Sequence, residues 1–522
     1  MLIQKVLSHT RVRAVANYLW LGLALVCGLG IAVLPFAQML VVLAGLMGLA
    51  VLAAIVAEPT LGIALTLIAG PLGPLEREVL QLLPIDSAQL VLLFTLFAYA
   101  LRQLYQRPTR SSIYPPTSST FYPFTALIPF ALLLFLAVAL VSFFQIRDFG
   151  NWAAEGLKWV ELLLLCVLVG WERNRRRLAL IIGAVLLSAS FQGALGLWQY
   201  FRGYGPVVFL VPGTSYYRSY GTFQQPNPFG GYVGLIWPFC LGVALWCVSN
   251  VKRQTSNVRF SILNFQLSIA IFLACLSLSA TVLALSGVFT SGSRGARLAA
   301  GGALVAMGLA TLRKPVLRLV IGLVGFAALA AIAFNQIPAA LTNPISSLIA
   351  DYGDLDVRGI YLTAQNFSNL ERLAHWQVAF DMMRDHPWLG VGFGNYDAYY
   401  EQYRLLYWVN GLGHAHNYYL NIFAETGVLG FLAYLFMWVG IFGVTLARIR
   451  EASNVKRQTS NVKRRILNSQ FLYIGLLGTW THLTIHHLFD NLYVANTFLL
   501  LGVLLGLLIN QSWLYRVKRE LA

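Results

Sequence analysis

The stretch "GLGHAHNYYLNIFAETGVLG", residues 411–430, places two histidines and an asparagine directly before an apolar run. Imidazole titrates near neutral pH, so His416 can take a proton from a hydroxyl, with His414 and Asn417 close enough in sequence to contact the same substrate. Arginines stand at the starts of other segments. Arg294 lies in "FTSGSRGARL", at the start of an apolar run, and Arg372 lies in "SNLERLAHWQVAFDMMRDHPWLGVGFGNY". In the second stretch Ser368 and Glu371 have capping-box spacing, which predicts a helix with Arg372 in its first turn. Leu373, Trp376, Phe380 and Met383 would form its apolar face, and Pro387 would stop it. A guanidinium at a helix start faces the positive end of the dipole unless an anion neutralises both, and phosphate suits such a place best. The plainer alternatives are a salt bridge for Arg372 and interfacial snorkelling for Arg294. Arg297, one turn further in, reads as a snorkelling or structural partner.

"RSYGTFQQPNPFGGY" adds Arg218 and the pair Asn227–Pro228, where Asn suits an N-cap and Pro a first helical position; Asn227 is either that cap or a substrate contact. In "HLTIHHLFD", His482, His486 and Asp490 are each four apart, on one helical face. They could bind zinc, but pocket lining or hydrogen-bonded packing is the preferred reading, and no metal is assigned. "GVGFGN" lacks the strand context of a nucleotide loop.

These groups must be positioned by a chain that is 58% hydrophobic and 11% charged over 522 residues. A soluble protein carries roughly 25% charged residues, so this one is an integral membrane protein, and its long unbroken apolar runs indicate helices, not a barrel. Fourteen spans are expected, near 15–34, 36–56, 60–83, 87–105, 124–146, 153–171, 178–201, 228–248, 267–290, 295–312, 318–337, 422–447, 471–488 and 492–511. "GPLGP" breaks 60–83 and 295–312 is short, so a re-entrant pair could reduce the number to twelve. With the N-terminus inside, most Lys and Arg fall in the inner segments, and both termini are cytoplasmic. The net charge of +17 is therefore a topology signal, and nucleic acid drops out as a partner.

The expected organisation is an all-α polytopic membrane protein. A first membrane part (1–337) is followed by a large helical extracytoplasmic loop (338–421) and C-terminal spans (422–522). The motif residues gather in outer loops and at outer helix ends, whereas a transporter hides its polar groups at the midplane. An internal repeat, "SNVKRQTSNV" at 249 and again at 453, reads as a duplicated insertion in two cytoplasmic loops. The five cysteines lie in apolar runs without a C-x-x-C and read as small hydrophobes.

"HNYYLNIFAETGVLG" consists of His416–Asn417, nine residues, Gly427, two residues and Gly430. At this point the chain resembles the O-antigen ligase and polymerase superfamily. "SRG" at 293–295 and the arginine of "ERLAHW", followed by "HPWLGVGFGNY", look like that superfamily's other two signatures, in the same order, within about residues 210–500. The resemblance implies a glycosyltransferase of the cytoplasmic (inner) membrane that works at its outer face without cofactor or metal. It would move a glycan from a polyprenyl-diphosphate carrier to an acceptor hydroxyl on a glycan, lipid or protein. Arg294 and Arg372 would hold the leaving diphosphate and His416 would be the base. Arg218, Asn227, His414, Asn417, His486 and Asp490 would line the substrate site. The alternative is a secondary transporter of a small anionic solute.

Overall fold

The structure is a computed structural model that describes residues 36–80, 86–105, 123–203, 205–211, 214–255, 265–312, 357–363, 366–458 and 469–510, with short pieces between 316 and 324. The span at 15–34, most of 318–337, Cys27, the start of the long loop and the ends of both repeat copies lie outside the described residues. Among the described residues every regular element is helical, and the one bridge, Leu210 to Tyr217, is isolated.

The helices are α1 (Phe36–Ala57), α2 (Pro59–Ala69), α3 (Gly73–Leu80), α4 (Ser87–Tyr105), α5 (Pro123–Val141), α6 (Phe149–Trp171), α7 (Arg175–Arg202), α8 (Pro226–Thr255), α9 (Phe265–Thr290), α10 (Arg294–Thr311), α11 (Phe367–Asp385), α12 (Tyr396–Tyr403), α13 (Tyr418–Gln458), α14 (Gln470–His486) and α15 (Thr497–Ile509). Among the described residues six stretches are long and apolar enough to cross a membrane: 87–104, 126–145, 175–202, 226–249, 271–290 and 418–454. The protein is a multi-pass membrane protein. The expected span 60–83 is not one helix, because Gly70–Leu72 forms a 3₁₀ turn between α2 and α3. Proline at that turn supplies no N–H to an α-helical ladder, so the rod breaks there. The expected span 492–511 contains a shorter apolar helix, Thr497–Ile509.

Contacts divide the chain into two units, 1–62 with 93–107, and 63–92 with 108–522. In the first unit Thr60 and Tyr99 share a hydroxyl hydrogen bond of 3.3 Å. In the second, α8 packs on α9 and α14, α10 packs on α14, α15 on α6, and α13 on α5, α11 and α14. The α8–α14 crossing is close because Gly242 faces Gly475; a Cβ on Gly242 would stand 2.9 Å from the Gly475 Cα. Small residues at such crossings let helix backbones approach where lipid supplies no hydrophobic drive.

The long loop folds on two sides of α11. One side buries Val378, Ala379 and Met382 against Val391, Tyr396, Tyr400, Ala415 and Ala424. The other buries Leu370, Leu373 and Ala374 against Val357 and Trp408. The expected apolar stripe is therefore only partly right: Leu373 is buried, but Phe380 is exposed. The capping box is also not used. Helix α11 starts at Phe367 without a side-chain cap, and the chain before it is tied by Thr363 N–H donating to Asn366 Oδ1 (2.7 Å). Arg372 consequently lies in the second turn, not the first. The helix does end at Asp385, before Pro387.

Candidate active site

The five segments singled out by sequence meet in the second unit. Arg294 is the first residue of α10, whose N-cap Ser293 accepts from Ala296 N–H at 3.3 Å. Its guanidinium donates to Asn369 Oδ1 of α11 at 2.9 Å, which ties the second signature to the third. Arg218 reaches the same region from the 205–225 segment. It donates from Nε to the Ser291 carbonyl (2.8 Å) and from Nη2 to Asn227 Oδ1 (2.7 Å). Asn227 thus orients Arg218; the expected N-cap role is not seen, since α8 starts at Pro226. Burial, and then the nearby guanidiniums of Arg372, Arg294 and Arg297, pull the Arg218 guanidinium down to about 10. Like charges so placed could be neutralised by a multiply charged anion.

Beside the arginines stands a histidine–aspartate group. His414 Nε2 lies 3.7 Å and His416 Nδ1 3.8 Å from Asp490 Oδ1. The His414 and His416 rings meet edge to face, with centroids 4.6 Å apart. His416 has φ 51°, a left-handed conformation that costs an L-residue about 1–3 kcal/mol and that clusters at functional sites. Asn417 Oδ1 accepts the N–H groups of Tyr419 and Leu420 (3.0 and 3.2 Å), so its carbonyl oxygen starts α13. Tyr418 N–H donates to the His487 carbonyl at 2.8 Å, which fixes the α13 entrance against the end of α14.

Gly427 explains the signature spacing. Its φ of 64° and ψ of −167° break α13 into a short helix that carries His416 at its head and a long one behind it. A Cβ there would stand 2.2 Å from the Trp388 carbonyl carbon, and one on Gly390 (φ 66°) 2.3 Å from the Glu425 carbonyl carbon. The "HPWLGVGFGNY" loop therefore docks on the kink backbone to backbone. Val391 N–H donates to Ala424 O (2.8 Å), Gly392 N–H to Glu425 O (3.0 Å) and Val428 N–H to Pro387 O (2.8 Å).

His482, His486 and Asp490 do not lie on one helix. Helix α14 ends at His486, and the turn after it carries Asp490 across to His414 and His416. His486 packs near Gly295, its Cδ2 3.3 Å from where a Cβ would stand. Burial alone would raise the Asp490 carboxyl; His416, then His414 and His486, outweigh it and hold the carboxyl below its usual range. Burial pushes His414 down to about 4 against the pull of Asp490, aided by His416 and Arg372.

Among the described residues His414, His416 and Asp490 offer three ligand atoms within 4.8 Å of one another. However, His414 Nδ1 accepts the His416 backbone N–H at 3.0 Å. A neutral ring that accepts at Nδ1 carries its proton on Nε2, so His414 presents a donor to Asp490, not a lone pair for a metal. By this geometry Asp490 orients histidines.

Sequence reasoning missed Asn369, which holds Arg294, and His375, which stacks between Tyr400 and His416. His375 sits three residues after Arg372 in a quoted motif, but a buried imidazole in a helical stripe reads as core.

Residues 279–435 match the family model Wzy_C, described as O-antigen ligase. Over that segment the chain is similar to the O-antigen ligase family. The segment holds Arg294, Arg372 and His416, while Arg218 precedes the matched ligase segment and Asp490 follows it. The match is narrower than the resemblance drawn from the motifs. No curated protein matches the chain. The match to the O-antigen ligase family model supports glycosyl transfer at a membrane as the general role.

Proposed function

We propose that this protein transfers a glycan from a polyprenyl-diphosphate carrier to an acceptor hydroxyl at the outer face of the inner membrane, without a metal. The observation that carries the reading is the convergence of Arg218, Arg294 and Arg372, from three separate elements, beside the His416–Asp490 pair. The acceptor oxygen attacks the anomeric carbon, and the bond from that carbon to the diphosphate oxygen breaks. Its electron pair stays on the diphosphate, where the guanidiniums stabilise the charge as cations do elsewhere. His416 takes the acceptor proton at Nε2 while Nδ1–H faces Asp490, the orienting logic of a base held by a carboxylate. His416, and then His414 and His486, hold the Asp490 carboxyl below its usual range.

The test uses purified protein and a polyprenyl-diphosphate-linked oligosaccharide. Carrier diphosphate should be released only when acceptor is present. His416→Ala should lower that rate about 10²–10⁴-fold, as expected for a lost general base, while binding of the carrier lipid stays near normal. Wild-type turnover in His416→Ala rejects the reading. Solute flux in liposomes without carrier release would instead establish a transporter.

A further inference from the structure

We propose that His375 is a positioning residue for His416: a wedge that fixes the rotation of the base so that its Nδ1 faces Asp490. The inference rests on the reading of His416 as the base and adds a residue that the sequence signatures do not assign.

His375 is almost wholly buried. Tyr396 Oη donates to the His375 carbonyl at 3.1 Å, which uses its one proton, so it can only accept from His375 Nδ1–H, also 3.1 Å away. That sets the tautomer. Tyr396 is fixed in turn, because its N–H donates to Glu425 Oε1 at 3.3 Å beside the Gly427 kink. The other ring neighbour is Tyr400, stacked at 4.9 Å and 22°, whose hydroxyl donates to the Trp408 carbonyl at 2.9 Å. With the ring pinned by both tyrosines, it meets His416 edge to face at 5.3 Å and 86°. His414 bounds His416 with a second nearly perpendicular ring at 79°. The base therefore stands between two imidazoles with Asp490 at its Nδ1 edge. Burial, then His416 and His414, push His375 down to about 3, so the wedge stays neutral and does not compete for the proton.

Two variants separate the contacts. His375→Asn keeps a donor near the Nδ1 position but removes the ring; His375→Phe keeps a ring and removes the donor. Since misplacing a reacting group by about 1 Å can cost about 10²-fold, His375→Asn should lower kcat by about 10- to 100-fold. His375→Phe should lower it less, and so should Tyr396→Phe. Binding of farnesyl diphosphate, the probe for the arginine site, should change less than about twofold, although Arg372 shares α11 with His375. In a His416→Ala background the loss from His375→Asn should vanish, as coupling through one residue requires.

The proposal is overturned if kcat is unchanged in His375→Asn, if farnesyl diphosphate affinity falls in step with kcat, or if the loss persists undiminished without His416. Should the His375 variants fail to fold, Tyr396→Phe carries the same three readouts. Full activity in His416→Ala alone would instead sink the functional reading, and this proposal with it.

Discussion

Replacing Asp490 with asparagine keeps size and shape but removes the charge that faces both site histidines. In the proposed reaction His416 would become an imidazolium 3.8 Å from a buried carboxylate. Two unit charges at that separation, in an effective dielectric of about 20, attract by about 4 kcal/mol. At about 1.4 kcal/mol per tenfold in rate, Asp490→Asn should lower kcat about 10³-fold. The assay is single-turnover release of carrier diphosphate from a labelled lipid-linked oligosaccharide, followed against pH. Donor affinity should stay within about threefold, since the arginines remain. A rate within threefold of wild type would refute the pairing.

Arg294→Lys and Arg372→Lys should each restore only part of the donor affinity lost in the alanine variants, because an ammonium keeps charge without the bidentate fork; farnesyl diphosphate titration measures this. Chelation with EDTA should leave the rate within a few-fold, and a loss reversed by a divalent ion would promote His414, His416 and Asp490 to metal ligands. Gly427→Ala should reduce folded yield and melting temperature, since the left-handed φ costs about 1–2 kcal/mol before the clash with Trp388 is added. His414 is held at about 4, below its ordinary 6.5, so the unfolded chain binds its proton first. Thermal stability in detergent should therefore fall as pH drops from about 6.5 towards 4, and His414→Gln should flatten that part of the curve. A single cysteine in place of Asn410, which is exposed, should react with an impermeant thiol reagent on whole cells.

The pattern of apolar runs made the helical membrane architecture legible, because length and composition decide it. Arg294 was also legible: Ser–Arg–Gly before an apolar run has few other uses than a capped helix start. The site failed to read locally wherever a distant partner decides the outcome. Periodicity put Asp490 with His482 and His486, yet the helix ends at His486 and the next turn sends Asp490 to a histidine more than seventy positions back. The Ser368–Glu371 spacing was lost to Thr363 and Asn366, which tie the chain before α11 and shift Arg372 by a turn. His375 was hidden for the opposite reason, since its partners Tyr396, Tyr400 and His416 come from later segments that no helical wheel can show.

The loop and the kink of α13 hold each other by main-chain atoms at Gly390, Val391, Gly392 and Val428. Such a joint does not depend on side-chain identity beyond its glycines. Substitutions on the solvent-facing sides of α11 and α12 can therefore accumulate without displacing His416. The exposed residues around the loop, Tyr361, Leu406 and Tyr407 among them, can vary while the backbone that carries His416 is held unchanged. A grafting experiment should treat 386–394 and 424–428 as one indivisible cassette and vary only what hangs from it.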